Sequence, residues 1–261
     1  MTNDHLHISL IQTDLVWENP DANRGRLELL FQQMPIETDL AVLPEMFSTG
    51  FSMQVERFAE LMAGETVNWM KELAFRYQLV MAGSLMISEA GRYYNRFVFV
   101  RPDKTVEFSD KRHLFSMGEE QLHFSPGTER KIFQLKNFRI LPQVCYDLRF
   151  PVFSRNRNDY DLLLNCANWP APRKEVWKCL LKARAIENQA YVAGVNRIGK
   201  DANGIRYSGD SLVFDPKGKA MVAEVSGREA ILFAKLSKSM LEDFRIKFPV
   251  LPDADEFSLN L

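Results

Sequence analysis

The chain has 261 residues, with 33 Lys and Arg against 34 Asp and Glu, so its formal charge is −1. That balance supplies no field to hold a polyanion, and with 46% hydrophobic and 11% aromatic residues the composition is far from the low-hydrophobicity, high-charge pattern of disorder, so neither a nucleic-acid partner nor an unfolded chain is expected. No basic leader precedes an apolar stretch and no apolar run approaches the roughly 18 residues of a membrane span, so the expectation is a cytoplasmic protein with a small-molecule partner and no membrane attachment.

In chain order, β-branched and apolar runs predict a strand over 7–15, then a helix over 22–34 behind the Asn19-Pro20-Asp21 turn signal. A strand over 40–46 follows, and a helix over 66–77 with Thr66 as its cap. Strands are predicted over 79–87 and 96–100, then a charged, aromatic, weakly periodic stretch over 110–130, of a length more often functional than idle. Further strands over 138–148 and 162–168 lead to a helix over 173–188, with Val176, Leu180, Ala183 and Glu187 at helical spacing. Strands over 191–199, 211–215 and 231–236 close the series. The alternation predicts an α/β or α+β layered fold, in which sheets are covered on one face by helices and pack together by the other. No linker or repeat divides the chain, so one domain over 1–261 is expected, within the reach of α/β folds that run to roughly 200–250 residues. Phe97, Phe99, Phe138 and Trp177 are assigned to the core.

Three ionisable residues follow apolar strands directly: Glu45 after LAVLP, Lys111 after the strand and turn of 96–110, and Cys145 after ILPQV. Strand ends are where rigid elements project side chains into a crevice. A thiol with a reference pKa of about 8.5 needs a base or a positive charge to become a nucleophile. Glu45 can supply the base and Lys111 the charge, and the N–H of Tyr146 can join Lys111 in holding an oxyanion. Taken singly each residue has a plainer reading: Cys145 as a buried thiol, Glu45 as a turn or cap carboxylate, Lys111 as part of a solvated charged run. Cys166 in an apolar strand and Cys179 on a helix are read as incidental thiols, because three cysteines spaced by 21 and 13 residues fit neither a disulfide framework nor paired zinc knuckles. His113 and His123 leave a papain-like Cys-His pairing open as a lesser alternative.

The segments LPEMFSTGF (43–51), DKRHLF (110–115) and VCYDLRFP (144–151), in that order, resemble the three signature segments of the nitrilase or carbon-nitrogen hydrolase superfamily, and ANWPAPR (167–173) with KARAIENQAYVAGVNRIG (182–199) resembles its later blocks. The resemblance implies a four-layer αββα sandwich with helices outside two central sheets, a Glu-Lys-Cys triad at Glu45, Lys111 and Cys145, and no metal or organic cofactor. It also implies a second glutamate in the loop after the lysine, for which Glu120, seven residues before Gly127, fits better than its neighbour Glu119.

Within the superfamily CYDLRFP with ANWPAPR most resembles the ω-amidase branch, which hydrolyses the terminal amides of α-keto acid monoamides such as 2-oxoglutaramate and 2-oxosuccinamate. The alternatives are an aliphatic amidase, an N-carbamoyl amino-acid hydrolase, a nitrilase, or a non-catalytic member of the fold. A substrate with a distal carboxylate calls for a pocket cation, for which Arg173 at the start of the 173–188 helix is the first candidate and Arg149 the second, read instead as structural. Phe47, Phe115, Tyr146 and Trp169 are candidate apolar walls. The resemblance further implies at least a homodimer, with residues 150–158 and the C-terminal segment bearing Phe248, Val250, Leu251 and Phe257 expected at the interface, or that segment folded over its own chain.

Overall fold

A computed structural model describes residues 4–259. The elements in chain order are β1 (His5–Gln12), α1 (Pro20–Phe31), β2 (Leu40–Val42), α2 (Val55–Phe58), α3 (Glu65–Tyr77), β3 (Val80–Glu89), β4 (Arg92–Val100), β5 (Val106–Asp110) and α4 (Glu120–His123). They continue with β6 (Phe133–Leu135), β7 (Phe138–Val144), α5 (Pro151–Ser154), β8 (Leu162–Ala167), α6 (Lys174–Asn188), β9 (Tyr191–Asn196), β10 (Ile198–Lys200), β11 (Arg206–Ser208), β12 (Leu212–Phe214), β13 (Ala230–Ser237) and α7 (Lys238–Lys247). One sheet runs β13-β1-β2-β3-β4-β5 and the other β12-β9-β8-β7-β6, with β10 and β11 pairing apart from both.

The alternation of side chains along each strand decides the layering. Leu6, Ile8 and Leu10 of β1, Val80 and Ala82 of β3, and Phe97 and Phe99 of β4 face Ile140 and Val144 of β7, Leu162, Leu164 and Cys166 of β8, and Ala193 of β9 in one apolar core between the sheets. The opposite faces carry their own apolar sets. Met81, Leu85 and Val98 pack with Leu27 and Phe31 of α1 and Met70 and Leu73 of α3, and Leu141, Leu163 and Val192 pack with Trp177, Leu181 and Ala185 of α6. The result is the αββα sandwich expected. Strands buried on both faces read as near-continuous apolar runs.

Several boundaries differ from expectation, each for a local reason. Thr66 does not cap α3. The N-cap is Gly64, and the Glu60 carboxylate takes the Thr66 N–H at 2.7 Å together with the Thr66 hydroxyl. A Cβ at residue 64 would lie 2.6 Å from Glu60 Oε2, so only glycine admits that carboxylate. Helix α6 buries Trp177, Leu181, Arg184, Ala185 and Asn188 rather than the Val176, Leu180, Ala183 and Glu187 stripe. Two of its inward polar side chains reach acceptors across the packing: Trp177 Nε1 donates to Asp210 O at 2.8 Å and Arg184 Nη2 to Leu148 O at 2.7 Å.

The strand expected over 40–46 stops at Val42, the one over 138–148 stops at Val144, and the one over 191–199 breaks at Arg197. After each break the chain turns, and the first two turns carry positive φ at Met46 and Cys145. Beyond Arg197 the chain forms the separate β10–β11 ribbon. The stretch 110–130 holds a 3-10 turn and α4, and α7 was not anticipated. Residues 155–158 and the C-terminal segment lie together within one chain, with Arg157 over the ring of Phe257 at 4.4 Å. Among the described residues no helix is long and apolar enough to cross a membrane.

Candidate active site

The chain just past β2, β5 and β7 carries the three ionisable residues singled out in the sequence. Past β2, Leu43 N donates to Ala82 O at 2.7 Å and Met46 N to Ser84 Oγ at 2.9 Å, so Glu45 is pinned between two bonds to β3. Past β5, Lys111 is anchored through its own backbone, its N–H to Asn95 O at 2.9 Å and its carbonyl to Gly127 N at 2.8 Å. Gly127 passes so close that a Cβ there would lie 2.3 Å from Asp110 O. Past β7, Cys145 has φ of 45°, and Asp147 clamps the turn by accepting Val144 N at 3.1 Å and His113 N at 2.8 Å. A non-glycine residue held at positive φ by surrounding bonds is a common device for presenting a functional side chain.

These anchors bring Glu45, Lys111 and Cys145 into one cavity of about 560 Å³. Lys111 Nζ donates to Glu45 Oε1 at 2.8 Å and to Glu120 Oε2 at 2.9 Å, all three side chains being fully buried. Glu120, and not Glu119, supplies the second carboxylate. Glu119 has φ of 59° and sends its side chain to the cavity mouth, while Phe115 N fixes Glu120 Oε2 at 2.7 Å. Asn95 Nδ2 bonds both carboxylates, and Asn168 N bonds Glu45 Oε2 at 2.9 Å.

Two acids, one ammonium and one thiol in a desolvated space shift one another. Burial works against the Lys111 ammonium, but the charges of Glu120 and Glu45 and the neighbouring Cys145 outweigh it and hold its pKa well above the ordinary lysine value. Burial pushes Glu120 up, and the Glu45 charge adds to that despite Lys111. Burial, then the negative charge of Glu45, push the Cys145 thiol well above its usual value, and Lys111 offsets this only in part. These surroundings favour the thiol form of Cys145. A thiol and a carboxylate in one cavity can make a thiolate when an electrophile arrives, with the ammonium ready for the charge that passes to the electrophile.

The walls divide the remaining sequence candidates. Phe115, Tyr146, Trp169 and Arg173 line the cavity. Tyr146 packs edge-on against Phe115 at 5.1 Å and Phe150 at 5.1 Å, and Arg173 lies 5.7 Å over the Phe115 ring. Phe47 does not join them. It is fully buried in the core beneath α3, packed on Trp69 at 6.1 Å, because the chain turns between Glu45 and Phe47 and sends the two side chains opposite ways. Arg149, read as structural, lines the cavity instead, its guanidinium 4.9 Å over Trp169. That same indole donates to Arg173 O at 2.9 Å, so one side chain supports both arginines. His113 gives its Nδ1 to Asp147 at 2.8 Å and stacks on Phe150 at 3.8 Å, so it braces the cysteine turn. Neither it nor His123 lines the cavity. Cys166 lies in the intersheet core, with burial pushing its thiol upward, and Cys179 is exposed on α6.

Residues 7–246 match the carbon-nitrogen hydrolase family. The chain belongs to that family. It is 47% identical over 254 residues to omega-amidase YafV of Escherichia coli strain K12, covering 97% of this chain and 98% of that protein. It is 31% identical over 251 residues to a 2-oxoglutaramate amidase of Bacillus subtilis, covering 94% and 96%. The crystal structure of XC1258 from Xanthomonas campestris, a CN-hydrolase superfamily protein with an arsenic adduct in its active site, matches with a TM-score of 0.95 at 41% identity, covering 98% of this chain and 99% of that one. The protein is therefore an enzyme, a hydrolase of carbon–nitrogen bonds in amides.

Sequence reasoning missed several groups of this carbon-nitrogen hydrolase site. Asn95 sits within a strand and Asn168 just past one, where a lone amide carries no spacing signal. Tyr207 on β11 and Asp201 just past β10 fall between the strands expected over 191–199 and 211–215, and they pair at 2.9 Å on the cavity wall. Asp147 had a readable signal. It stands two residues past Cys145, and a short acidic side chain after a turn commonly takes backbone N–H groups.

Proposed function

We propose that this enzyme is an ω-amidase, hydrolysing the terminal amide of α-keto acid monoamides such as 2-oxoglutaramate and 2-oxosuccinamate to the dicarboxylate and ammonia. The observation that carries this reading is the juxtaposition of Cys145 with Glu45 and Lys111 in a cavity whose wall also holds two guanidinium groups, Arg149 and Arg173. The relatives named as omega-amidase and 2-oxoglutaramate amidase support it.

Glu45 takes the thiol proton as Cys145 Sγ attacks the amide carbon, so a C–S bond forms and the carbonyl electrons move to oxygen. Lys111 and the N–H of Tyr146 hold that oxyanion. Collapse of the intermediate breaks the C–N bond, and Glu45 hands its proton to the departing nitrogen, releasing ammonia and leaving a thioester. Water then gives a proton to Glu45 while its oxygen attacks the thioester. The second collapse breaks the C–S bond and returns the proton to sulfur. Glu120 holds Lys111 without contacting substrate. Arg173, with Arg149, pairs the distal carboxylate, and Phe115, Tyr146 and Trp169 keep water from the thioester until ammonia has left.

The enzyme works in the cytoplasm as a homodimer through the face of α5 and α6, where Val152, Val176 and Ile186 are exposed. Ammonia release from 2-oxoglutaramate by wild type and by Cys145→Ala, beside an uncharged aliphatic amide, tests the reaction. Release that vanishes in the variant and is weak from the uncharged amide is the expected result. Release from neither amide overturns the substrate assignment, and turnover surviving in Cys145→Ala overturns the mechanism.

A further inference from the structure

Asn95 lies on β4, fully buried behind the triad, and does not border the cavity. Its Nδ2 donates to Glu45 Oε1 at 2.8 Å and to Glu120 Oε1 at 2.9 Å, while its backbone carbonyl accepts Lys111 N at 2.9 Å. The opposite amide orientation would aim Oδ1 at two carboxylate oxygens, so the side chain can sit only one way. Its Oδ1 has no partner, which marks the donor end as the one the site requires.

A carboxylate oxygen accepts about two hydrogen bonds. Glu45 Oε1 has two, from Lys111 at 2.8 Å and Asn95 at 2.8 Å. Glu45 Oε2 has one, from Asn168 N at 2.9 Å. Glu120 is filled on both oxygens, by Asn95 and Lys111 on Oε1 and by Phe115 N and Lys111 on Oε2. Of the four oxygens, only Glu45 Oε2 keeps an acceptor position open.

We propose that Asn95 is a positioning residue for the hydrolysis, its carboxamide saturating Glu45 Oε1 so that Oε2 alone receives the proton of Cys145 or of water. It also ties Glu45 to Glu120 in one arrangement around Lys111. The inference rests on Glu45 acting as base. The titratable groups facing Glu45 are Lys111 from the end of β5, Glu120 from α4 and Cys145 from the end of β7, with Cys166 on β8 and Tyr207 on β11 at longer range. An uncharged substitution at residue 95 adds or removes no charge among them, and it takes one donor from Glu45 and one from Glu120, so a change in pH dependence reports the donor lost to this carboxylate pair.

Asn95→Leu keeps the shape and removes the donor. Its kcat is expected to fall about 100-fold with KM within about threefold of wild type, the effect of a small misplacement remote from bound substrate. The acid limb of its kcat–pH profile is expected to move upward by roughly half a unit to one unit, because a donor to the charged form has gone. Loss of packing alone would lower the unfolding temperature and leave that limb where it was. Asn95→Ser, whose shorter donor reaches one carboxylate at most, serves if the leucine variant does not fold, and is expected to lie between wild type and Leu. Glu45→Gln is assayed alongside. If Glu45→Gln is inactive while the residue-95 variant keeps the wild-type acid limb, the role of Asn95 is overturned and the base assignment stands; if Glu45→Gln retains activity, the base assignment fails first.

Discussion

At the floor of the cavity Glu45 and Lys111 sit just past strand ends, fully buried, and every charged atom has at least one partner within hydrogen-bond distance. At the rim Arg149 and Arg173 stand on 3-10 turns, partly exposed, held by the Trp169 and Phe115 rings. On the proposed function, the floor keeps the reacting groups fixed to a fraction of an ångström, which rigid strands and saturated hydrogen bonds allow. The rim, on the same proposal, meets a mobile ligand and releases its product, with Arg149 and Arg173 as the partners of its carboxylate. Chemistry and recognition then fall to separate parts of one cavity, and substitutions in the two parts should fail differently.

The largest effect is expected from Lys111→Met at the floor. Turnover should fall about 1,000-fold with loss of the oxyanion partner. The same change leaves two buried carboxylates facing each other, which costs about 3–5 kcal/mol and lowers the unfolding temperature by roughly 10 °C in a chain of this size. Steady-state kinetics and a thermal melt read both, and an inactive variant of unchanged stability would break the link between the two properties of the floor.

At the rim, Arg173→Met should raise KM for 2-oxoglutaramate about 10- to 100-fold, the worth of a charged hydrogen bond, with kcat and stability little altered. Turnover of an uncharged amide should not change. Equal losses on both amides would place Arg173 in the scaffold and leave Arg149 as the carboxylate's partner.

The smallest effect is expected far from both regions. Burial opposes the Asp161 carboxylate, but donors from Arg139 and Lys238 outweigh it and hold its pKa well below the usual carboxylate range. Arg245 adds a contact at 2.9 Å from α7. A depressed pKa means stability that is present above the unfolded value of about 4 and lost as pH falls through the folded one. Asp161→Asn should therefore lower stability at neutral pH and flatten its decline in acid, with kcat unchanged. Denaturant melts at several pH values check this, and a parallel loss of kcat would tie the α7 end of the sandwich to the floor.

The parts of the site legible in the sequence share one feature. Glu45, Lys111 and Cys145 each interrupt an apolar run with an ionisable group, a local signal that survives without knowledge of the fold. Asn95 gave none, since in YYNRFVFV an amide reads as one polar member of an alternating strand. Phe47 was misplaced because a positive φ at Met46 reverses the direction of the side chains after Glu45. Trp177 was legible as core, but the burial of Arg184 on the same α6 face was not, because its Nη2 finds an acceptor in Leu148 O, a residue distant in sequence.

The sequence by itself determined the layered architecture and singled out Glu45, Lys111 and Cys145, the residues the fold gathers into one cavity, because side-chain alternation along strands and ionisable groups at their ends are local properties. Only the tertiary structure decided between Glu119 and Glu120, brought Arg149 to the cavity, and paired Asn95 with two carboxylates from other segments. Those outcomes depend on backbone turns and on where separate strands end relative to one another, and a buried charge takes its partners from whatever the packed fold brings within about 3 Å.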